Sequence, residues 1–509
     1  MSMVVEAWLQ RAATSTPDAT ALQTPAGCCS YAELLVRARE GAAALGARGV
    51  RRGERVAIAL PAGLEFAYAL HACMLLGAAA VPVDLRLGAH ERCAIQDGAA
   101  LVLEEPLAEQ PPGVAPASGE AKAESNAGIL VRDETDPDAV HDLDAVAAVI
   151  HTSGTTSAPK PIELTYGNFL WSALGSAVAL GLDPAERWLC ALPLAHVGGL
   201  SILLRSAIYG TTAVVHPRFE TEAVLGELMA GGGTGSDDDA ARPTDATADV
   251  AARAGITLVS LVATMLARLL DAGLREPPAL RCALTGGGPV AAALLERARE
   301  AGVPVSLTYG LTEACSQVTT TPLAVTSRAV GGELARTDPV RKPADADAVP
   351  VPAPSAGPPL FCARVRTATD GEIELYGPTV ARGAAGADGW LRTGDLGRLN
   401  REGSLEVTGR KADTIVSGGE NVAPAEVEAV LEAHPAVLEA AVLPRADARW
   451  GEIVAALVVV REGAAPRAEE LRAHCRARLA PYKVPKQVAL VTGPLPRTRS
   501  GKLLRRELA

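Results

Sequence analysis

Short apolar runs alternate with longer segments whose apolar positions recur at helical spacing over most of the chain. Arg55–Leu60 precedes a helix expected from Leu64, and Ala145–His151 runs into a glycine-rich turn. Apolar runs separated by amphipathic helices predict α/β layers with largely parallel sheets. Phe66–Val83 is eighteen residues without a formal charge, the lower length for a membrane span. His71, Gly77 and Pro82 interrupt it, so the pattern reads as a buried helix turning into a strand at Ala79–Val83. Three stretches break the alternation: Glu104–Asp144, Gly231–Asp249 with its GGGTGSDDD run, and Leu334–Gly357. Their Pro, Ala, Gly and acidic content reads as surface loops or linkers within one large domain. No repeat of fixed period is visible.

At 509 residues the chain should form more than one domain, and 48% hydrophobic content excludes disorder for the chain as a whole. The net charge of -11 argues against generic nucleic-acid binding, which needs a basic face. Nine cysteines, two of them adjacent and none in CxxC spacing, make neither a disulfide framework nor a zinc site. They read as reduced thiols. The first twelve residues lack a basic start followed by an apolar run, so a cytoplasmic protein is expected. Charge is uneven along the chain. From Arg472 to Ala509 there are ten Lys or Arg and one acid, Glu507. A small basic domain facing an acidic large one is an arrangement suited to a polyanionic ligand.

The strongest chemical signal is His151-Thr-Ser-Gly-Thr-Thr-Ser-Ala-Pro-Lys160, directly after an apolar strand. Backbone N–H groups and hydroxyls freed at such a turn can surround phosphate oxygens, and a lysine adds positive charge. It is not the GxxxxGK[ST] pattern. Taken alone, the segment leaves a phosphate loop and an ordinary Ser/Thr-rich turn equally open.

Four more segments follow in order: Tyr309-Gly-Leu-Thr-Glu313, Gly389-Trp-Leu-Arg-Thr-Gly-Asp395, Gly409–Asn421 with GRKADTIVSGGEN, and Pro496-Arg-Thr-Arg-Ser-Gly-Lys502. With the first, these resemble the core motifs of the adenylate-forming enzymes, a superfamily of acyl-CoA synthetases, adenylation domains and luciferases. The resemblance spans about Tyr31 to Leu508. Asp183–Gly210, Leu258–Met265 and the Ser417-Gly-Gly-Glu-Asn-Val run look most like the o-succinylbenzoate–CoA ligase branch of menaquinone biosynthesis.

The resemblance implies a large α/β N-terminal domain of several sheets, residues 1–408, and a small mobile α+β lid, 409–509. It implies ATP, Mg²⁺ and CoA as reactants and cofactor, an aromatic carboxylic acid as substrate, and no membrane span. Thr152, Ser153, Gly154, Thr155, Thr156 and Lys160 would hold the β- and γ-phosphates. Thr312 would touch the α-phosphate and Glu313, a hard oxygen ligand, would bind Mg²⁺. Tyr309 would face adenine beside the Gly286-Gly287 turn, and Asp395 would accept from both ribose hydroxyls with Arg410 nearby. Lys502 would deliver its ammonium to the reacting carboxylate and α-phosphate. Ser417, Gly418 and Gly419 would line the CoA thiol tunnel, and Ala412 would be the hinge. Each residue also has a bland reading, such as a core tyrosine, a turn aspartate or a solvated lysine.

The acid pocket is assigned to His196, Ser201, Arg205 and Gly286, with His196 also placed in the catalytic set. Ser201 and Arg205, four apart, share a helix face. Arg205 is a candidate reader of a second carboxylate, or else an arginine paired with a structural acid. Two departures stand out: Ser157 and Pro161 occupy places where the phosphate loop of this superfamily usually has glycine, and Ala412 stands where a polar hinge residue is frequent. Rival readings are another aryl- or acyl-CoA ligase, a carrier-loading adenylation enzyme, and a silent nucleotide-binding protein.

Overall fold

The uncharged stretch Phe66–Val83 becomes a helix, Leu64–Leu76, followed by a strand, Ala79–Pro82. The helix is apolar on every side because both its faces are covered, and Phe66, Leu70 and Met74 are among its buried residues. Gly77 ends it at φ 78°, a left-handed backbone that side-chain-bearing residues seldom adopt. The computed structural model describes residues 3–107, 139–152, 159–231, 255–323, 354–417, 420–447, 451–497 and 503–508. Among these, no helix is long and apolar enough to cross a membrane.

Two sheets carry the α/β alternation. In the first, the strands lie in the order Leu101–Leu103, Arg55–Ile58, Ala79–Pro82, Val146–Thr152 and Lys160–Thr165. All neighbours are parallel except the last pair. The second has eight strands, in the order Ser316–Thr320, Val305–Leu311, Cys282–Thr285, Leu258–Leu261, Arg187–Cys190, Thr212–Val215, Thr20–Thr24 and Gly27–Ser30. Its interior is parallel and only the two outermost pairs are antiparallel. Parallel interior strands need cover on both faces, which explains the unbroken burial of Ala79–Pro82, Arg187–Cys190, Leu258–Leu261 and Cys282–Thr285. The helices Tyr31–Ala47, Leu64–Leu76, Tyr166–Leu180 and Val197–Tyr209 bury their apolar sides in one core with residues of both sheets.

A four-stranded antiparallel sheet follows, Arg364–Thr367, Glu372–Tyr376, Leu391–Leu399 and Leu405–Arg410. The last sheet, built on Gly451–Val460 and Val437–Asp447, carries the helices Pro424–Glu432 and Ala468–Arg476 and has its own core. This is the large α/β unit with a small α+β unit expected from the sequence. The expected boundary at Thr408 differs in detail. Gly409 and Arg410 stay in the four-stranded sheet, paired with Leu396 and Asp395, and the small sheet starts at Ile415. Of the three linker-like stretches, 108–138, 232–254 and 324–353 lie outside the described residues. Val140–Asp142, inside the first, is a strand paired with Val4–Glu6.

Tyr31 joins two helices at the centre of the large core. Its hydroxyl lies 2.7 Å from the Ser206 carbonyl and 2.6 Å from that of Thr211. The Ser206 carbonyl also accepts from Gly210 and Thr211 N–H, so loss of the phenol oxygen falls mainly on Thr211. Tyr31→Phe should therefore destabilise the large unit by about 1–3 kcal/mol. Urea unfolding should show a lower midpoint with an unchanged slope.

Candidate active site

Val146–Thr152 leaves the parallel sheet, and the chain returns beside it as Lys160–Thr165, with Thr152 opposite Lys160 and His151 opposite Pro161. The phosphate-loop segment is thus the connection of a β-hairpin whose two ends are neighbours. Thr152 and Lys160 stand at its mouth, with Lys160 exposed. Ser153, Gly154, Thr155 and Thr156 lie outside the described residues. Pro161 falls on the edge strand of the sheet, where a missing N–H is tolerated.

The strand Val305–Leu311 brings the next motif alongside. Gly286 presses against it so closely that a Cβ would lie 2.7 Å from the Thr308 carbonyl oxygen, which explains the glycine at that point. Tyr309 is half-buried at the same level, and its hydroxyl donates to Asp395 Oδ2 at 2.9 Å. Burial, with Asp395 adding to it, holds this phenol far above its ordinary range, so it stays a donor. Arg410 Nε donates to the other oxygen, Asp395 Oδ1, at 2.8 Å. Three residues from separate motifs therefore meet at one carboxylate that is only 9% exposed.

Beyond Tyr309 the chain makes a single 3-10 turn, Thr312–Ala314. This turn packs against the hairpin strand Lys160–Thr165. Thr312 and Glu313 thereby stand beside the phosphate hairpin. The Glu313 carboxylate is half-buried and has no hydrogen-bond or ion-pair partner among the described residues. An unpaired carboxylate beside a phosphate loop fits a Mg²⁺ ligand. The turn is held from behind by the Tyr166–Leu180 helix. Ser172 Oγ donates to the Cys315 carbonyl at 2.7 Å. Asn168 Nδ2 donates to the Pro378 and Val380 carbonyls, and Ala381 N–H donates to the Glu313 carbonyl at 2.8 Å. Sequence reasoning missed Ser172 and Asn168. Only the Thr165-x-x-Asn168 capping box, which starts this helix, was visible as a pattern.

His196 is the N-cap of the Val197–Tyr209 helix, within electrostatic reach of Asp84, which follows the strand Ala79–Pro82. Asp84 was not singled out from the sequence either. Ser201 and Arg205 lie on that helix, 1% and 3% exposed. No acid pairs with Arg205 among the described residues. Its Nη2 donates to Ser172 Oγ at 3.0 Å, and its guanidinium lies 5.6 Å from the Trp188 ring centroid. Burial pulls its pKa below the ordinary value. Arg205 Nε and Ser201 Oγ, one helical turn apart, are both buried without a partner.

The junction to the small unit is bracketed by charge. Lys411 reaches Asp370 at 2.7 Å and Glu372 at 3.0 Å, on the large unit. Asp413 faces Arg505 at 3.4 Å, and Arg505 holds Glu428 with both terminal nitrogens, on the small unit. Ala412 is the exposed residue between them. Ser417 is buried within the small unit, whereas Gly418, Gly419 and Lys502 lie outside the described residues. Part of the basic surplus at the C-terminus is paired within the small unit. Arg472, Arg476, Lys483, Arg497 and Arg505 pair with Glu469, Glu426, Glu439 and Glu428 of the small unit itself.

Comparison with known proteins defines the class. The AMP-binding enzyme model matches residues 9–384 and the AMP-binding enzyme C-terminal domain matches 426–502, so the chain belongs to the AMP-binding enzyme family. The 2-succinylbenzoate–CoA ligase of Bacillus subtilis is 37% identical over 530 residues, covering 98% of this chain and 97% of that one. Among solved structures, o-succinylbenzoate CoA synthetase (MenE) from Bacillus subtilis in complex with the acyl-adenylate intermediate OSB-AMP is 36% identical. It superposes with a TM-score of 0.77, covering 99% of this chain and 98% of that chain. The same enzyme with ATP and magnesium ion is 35% identical at a TM-score of 0.77, covering 99% and 100%.

A hinge at Ala412, flanked by residues tied to opposite units, has a direct test. Proline fixes φ near −65° and removes the N–H. Ala412→Pro should damage acyl-adenylate formation and thiol transfer unequally, with thiol transfer suffering more. Stopped-flow measurement of each half-reaction checks this, and small equal effects would place the pivot elsewhere.

Proposed function

We propose that the chain is an ATP-dependent, AMP-forming acid–CoA ligase acting on 2-succinylbenzoate, in the menaquinone route, and that it works in the cytoplasm. The observation that carries the reading is the meeting of Tyr309, Asp395 and Arg410 beside the hairpin mouth and the Thr312–Glu313 turn. Each Asp395 oxygen accepts one hydrogen bond from the protein and keeps lone-pair capacity for a ribose hydroxyl. Tyr309 and Arg410 fix the orientation of that carboxylate before nucleotide arrives. Thr152, Lys160 and Thr312 would then contact the phosphates.

The reaction joins two anions. The substrate carboxylate attacks the α-phosphate and pyrophosphate leaves, giving an acyl-adenylate. The CoA thiol then attacks the acyl carbon and AMP leaves. Glu313 would hold Mg²⁺, which supplies charge neutralisation on the phosphates when bound. Lys502 opposes the negative charge that builds between carboxylate and α-phosphate. In the second step it gives way to CoA by rotation of the small unit at Ala412, with Ser417, Gly418 and Gly419 lining the thiol path. His196 stands at the acid pocket with Gly286.

The relatives named above act on a substrate with two carboxylates. The buried, unpartnered Ser201 Oγ and Arg205 Nε supply two donors of the kind a second carboxylate needs, and a guanidinium fork suits that group. The nine cysteines are free thiols, six of them buried, which fits a reducing compartment. A panel of carboxylic acids scored for acyl-CoA formation with ATP, Mg²⁺ and CoA tests the substrate. Preference for a different aryl acid, or loading of a carrier protein in place of CoA, would overturn it.

Lys502→Ala should slow acyl-adenylate formation by about 10²–10³-fold, or about 3–4 kcal/mol, the scale for removing one preorganised charge-stabilising group. Thiol transfer from supplied acyl-adenylate should be nearly unchanged. An equal fall in both half-reactions would remove Lys502 from this role.

Arg205→Ala should weaken use of 2-succinylbenzoate far more than use of a monocarboxylic benzoyl analogue, because only the first loses a charged partner. Steady-state kcat/KM for the two acids decides it. Equal losses would remove Arg205 from recognition of the second carboxylate.

A further inference from the structure

The chain reverses sharply just after Glu313. Cys315 has φ 52° and Ser316 φ 84°, two successive residues with side chains in the left-handed region. The strand Ser316–Thr320 then runs back antiparallel to Val305–Leu311. The reversal is so tight that a Cβ at Gly310 would lie 1.6 Å from the Ser316 carbonyl oxygen. Backbone of this kind relaxes unless something holds it.

Ser172 is placed to do so. Its hydroxyl carries one hydrogen, and the direction of that hydrogen is fixed. Arg205 Nη2 can only donate, at 3.0 Å, so the serine oxygen accepts there and sends its own proton to the Cys315 carbonyl at 2.7 Å. Ser172 is 1% exposed, so water does not substitute for it from bulk. One helical turn earlier, Asn168 steadies the 378–380 segment, whose neighbour Ala381 holds the Glu313 carbonyl. The helix that carries both residues begins directly after the hairpin strand Lys160–Thr165.

We propose that Ser172, oriented by Arg205, is a positioning residue that holds the strained Cys315–Ser316 corner and thereby aims Glu313 and Thr312 at the metal and phosphates beside the hairpin. The proposal rests on the reading of Glu313 as a Mg²⁺ ligand. It also links the two ligand sites. The guanidinium placed against the acid's second carboxylate is the group that sets the serine hydroxyl, so the acid pocket and the Thr312–Glu313 turn share one hydrogen-bond chain.

Calorimetric titration of the full-length enzyme with ATP, with and without Mg²⁺, gives the factor by which Mg²⁺ tightens ATP binding, a readout independent of turnover. Ser172→Ala should reduce that factor by about 5–10-fold, the scale of one neutral hydrogen bond. It should slow acyl-adenylate formation by a similar factor and leave thiol transfer from supplied acyl-adenylate unchanged. Ser172→Thr, which keeps the hydroxyl, should recover most of the loss. Ser172→Cys, close in volume and a weak donor, serves if the alanine variant does not fold, and it should behave like alanine. If either variant lowers only the melting temperature and keeps the Mg²⁺ factor and the ratio of half-reactions, Ser172 is a packing residue and the proposal fails. Glu313→Gln separates the two layers. If it abolishes the Mg²⁺ factor while Ser172→Ala does not, only the role of Ser172 falls; if it leaves the factor intact, the reading of Glu313 falls and takes the proposal with it.

Discussion

The Asp395 carboxylate is the point at which three strands from two different sheets meet. One oxygen accepts from Tyr309, at the end of the eight-stranded sheet, and the other from Arg410, the last residue of the four-stranded sheet before the hinge turn. A carboxylate this buried is costly without partners, and with a phenol and a guanidinium it becomes a rigid acceptor. Arg410 directly precedes the bracketed residues Lys411–Asp413, so the chain enters the small unit directly from this carboxylate contact. One strand, Leu405–Arg410, thus supplies both a partner of Asp395 and the entry to the small unit. Under the proposed function, nucleotide recognition and rotation of the small unit would share that foundation.

Ion pairs hold both sides of the hinge. Lys411 and Asp370 are each about half exposed, 51% and 50%, and surface pairs of this sort contribute little. Arg505 and Glu428 are 22% and 13% exposed and meet through two nitrogens and two oxygens, a geometry that retains its strength when partly buried. Lys411 has a second, better buried partner in Glu372, 11% exposed, and through Arg505 and Asp413 the other side of the joint is tied to the small unit. Its internal ion pairs absorb half of the basic residues that the sequence concentrates near the C-terminus.

Features encoded by short-range pattern were legible in the sequence. The Leu64–Leu76 helix and Ala79–Pro82 strand follow from apolar content and Gly77, and the strand Val146–Thr152 from an apolar run ending in small hydroxylated residues. The ordered motifs placed Tyr309, Thr312, Glu313, Asp395 and Arg410 in one site, although nothing in their spacing shows that Asp395 takes the Tyr309 phenol. Ser172 and Asn168 stayed hidden for a physical reason. Their partners are backbone carbonyls of Cys315, Pro378 and Val380, 143 to 212 residues away, and a carbonyl has no sequence signature. The boundary at Thr408 missed by a similar route: a strand continues while pairing continues, and Gly409 pairs with Leu396 irrespective of its own low strand propensity. The internal pairing of the basic tail was not legible, because charge counting sees the lysines and arginines of residues 472–509 but not the acids from residues 426–469 that fold against them.

Pro161 shows how a departure from the superfamily's glycine-rich loop fits the same site. On an edge strand its missing N–H breaks no interior ladder, and its ring keeps φ near the extended range. Proline also pushes the residue before it toward extended backbone. That residue is Lys160, which must be extended to lie opposite Thr152. The substitution thus trades freedom at the far end of the phosphate hairpin for a fixed strand position of the lysine that flanks it. With Lys160 and Pro161 fixed in the strand, and the Thr312–Glu313 turn braced by the Tyr166–Leu180 helix, the phosphate side of the proposed site would approach its working geometry before ATP enters. Adjustment between the two proposed chemical steps would then fall to the joint at Ala412, where one exposed residue separates anchors that belong to different units.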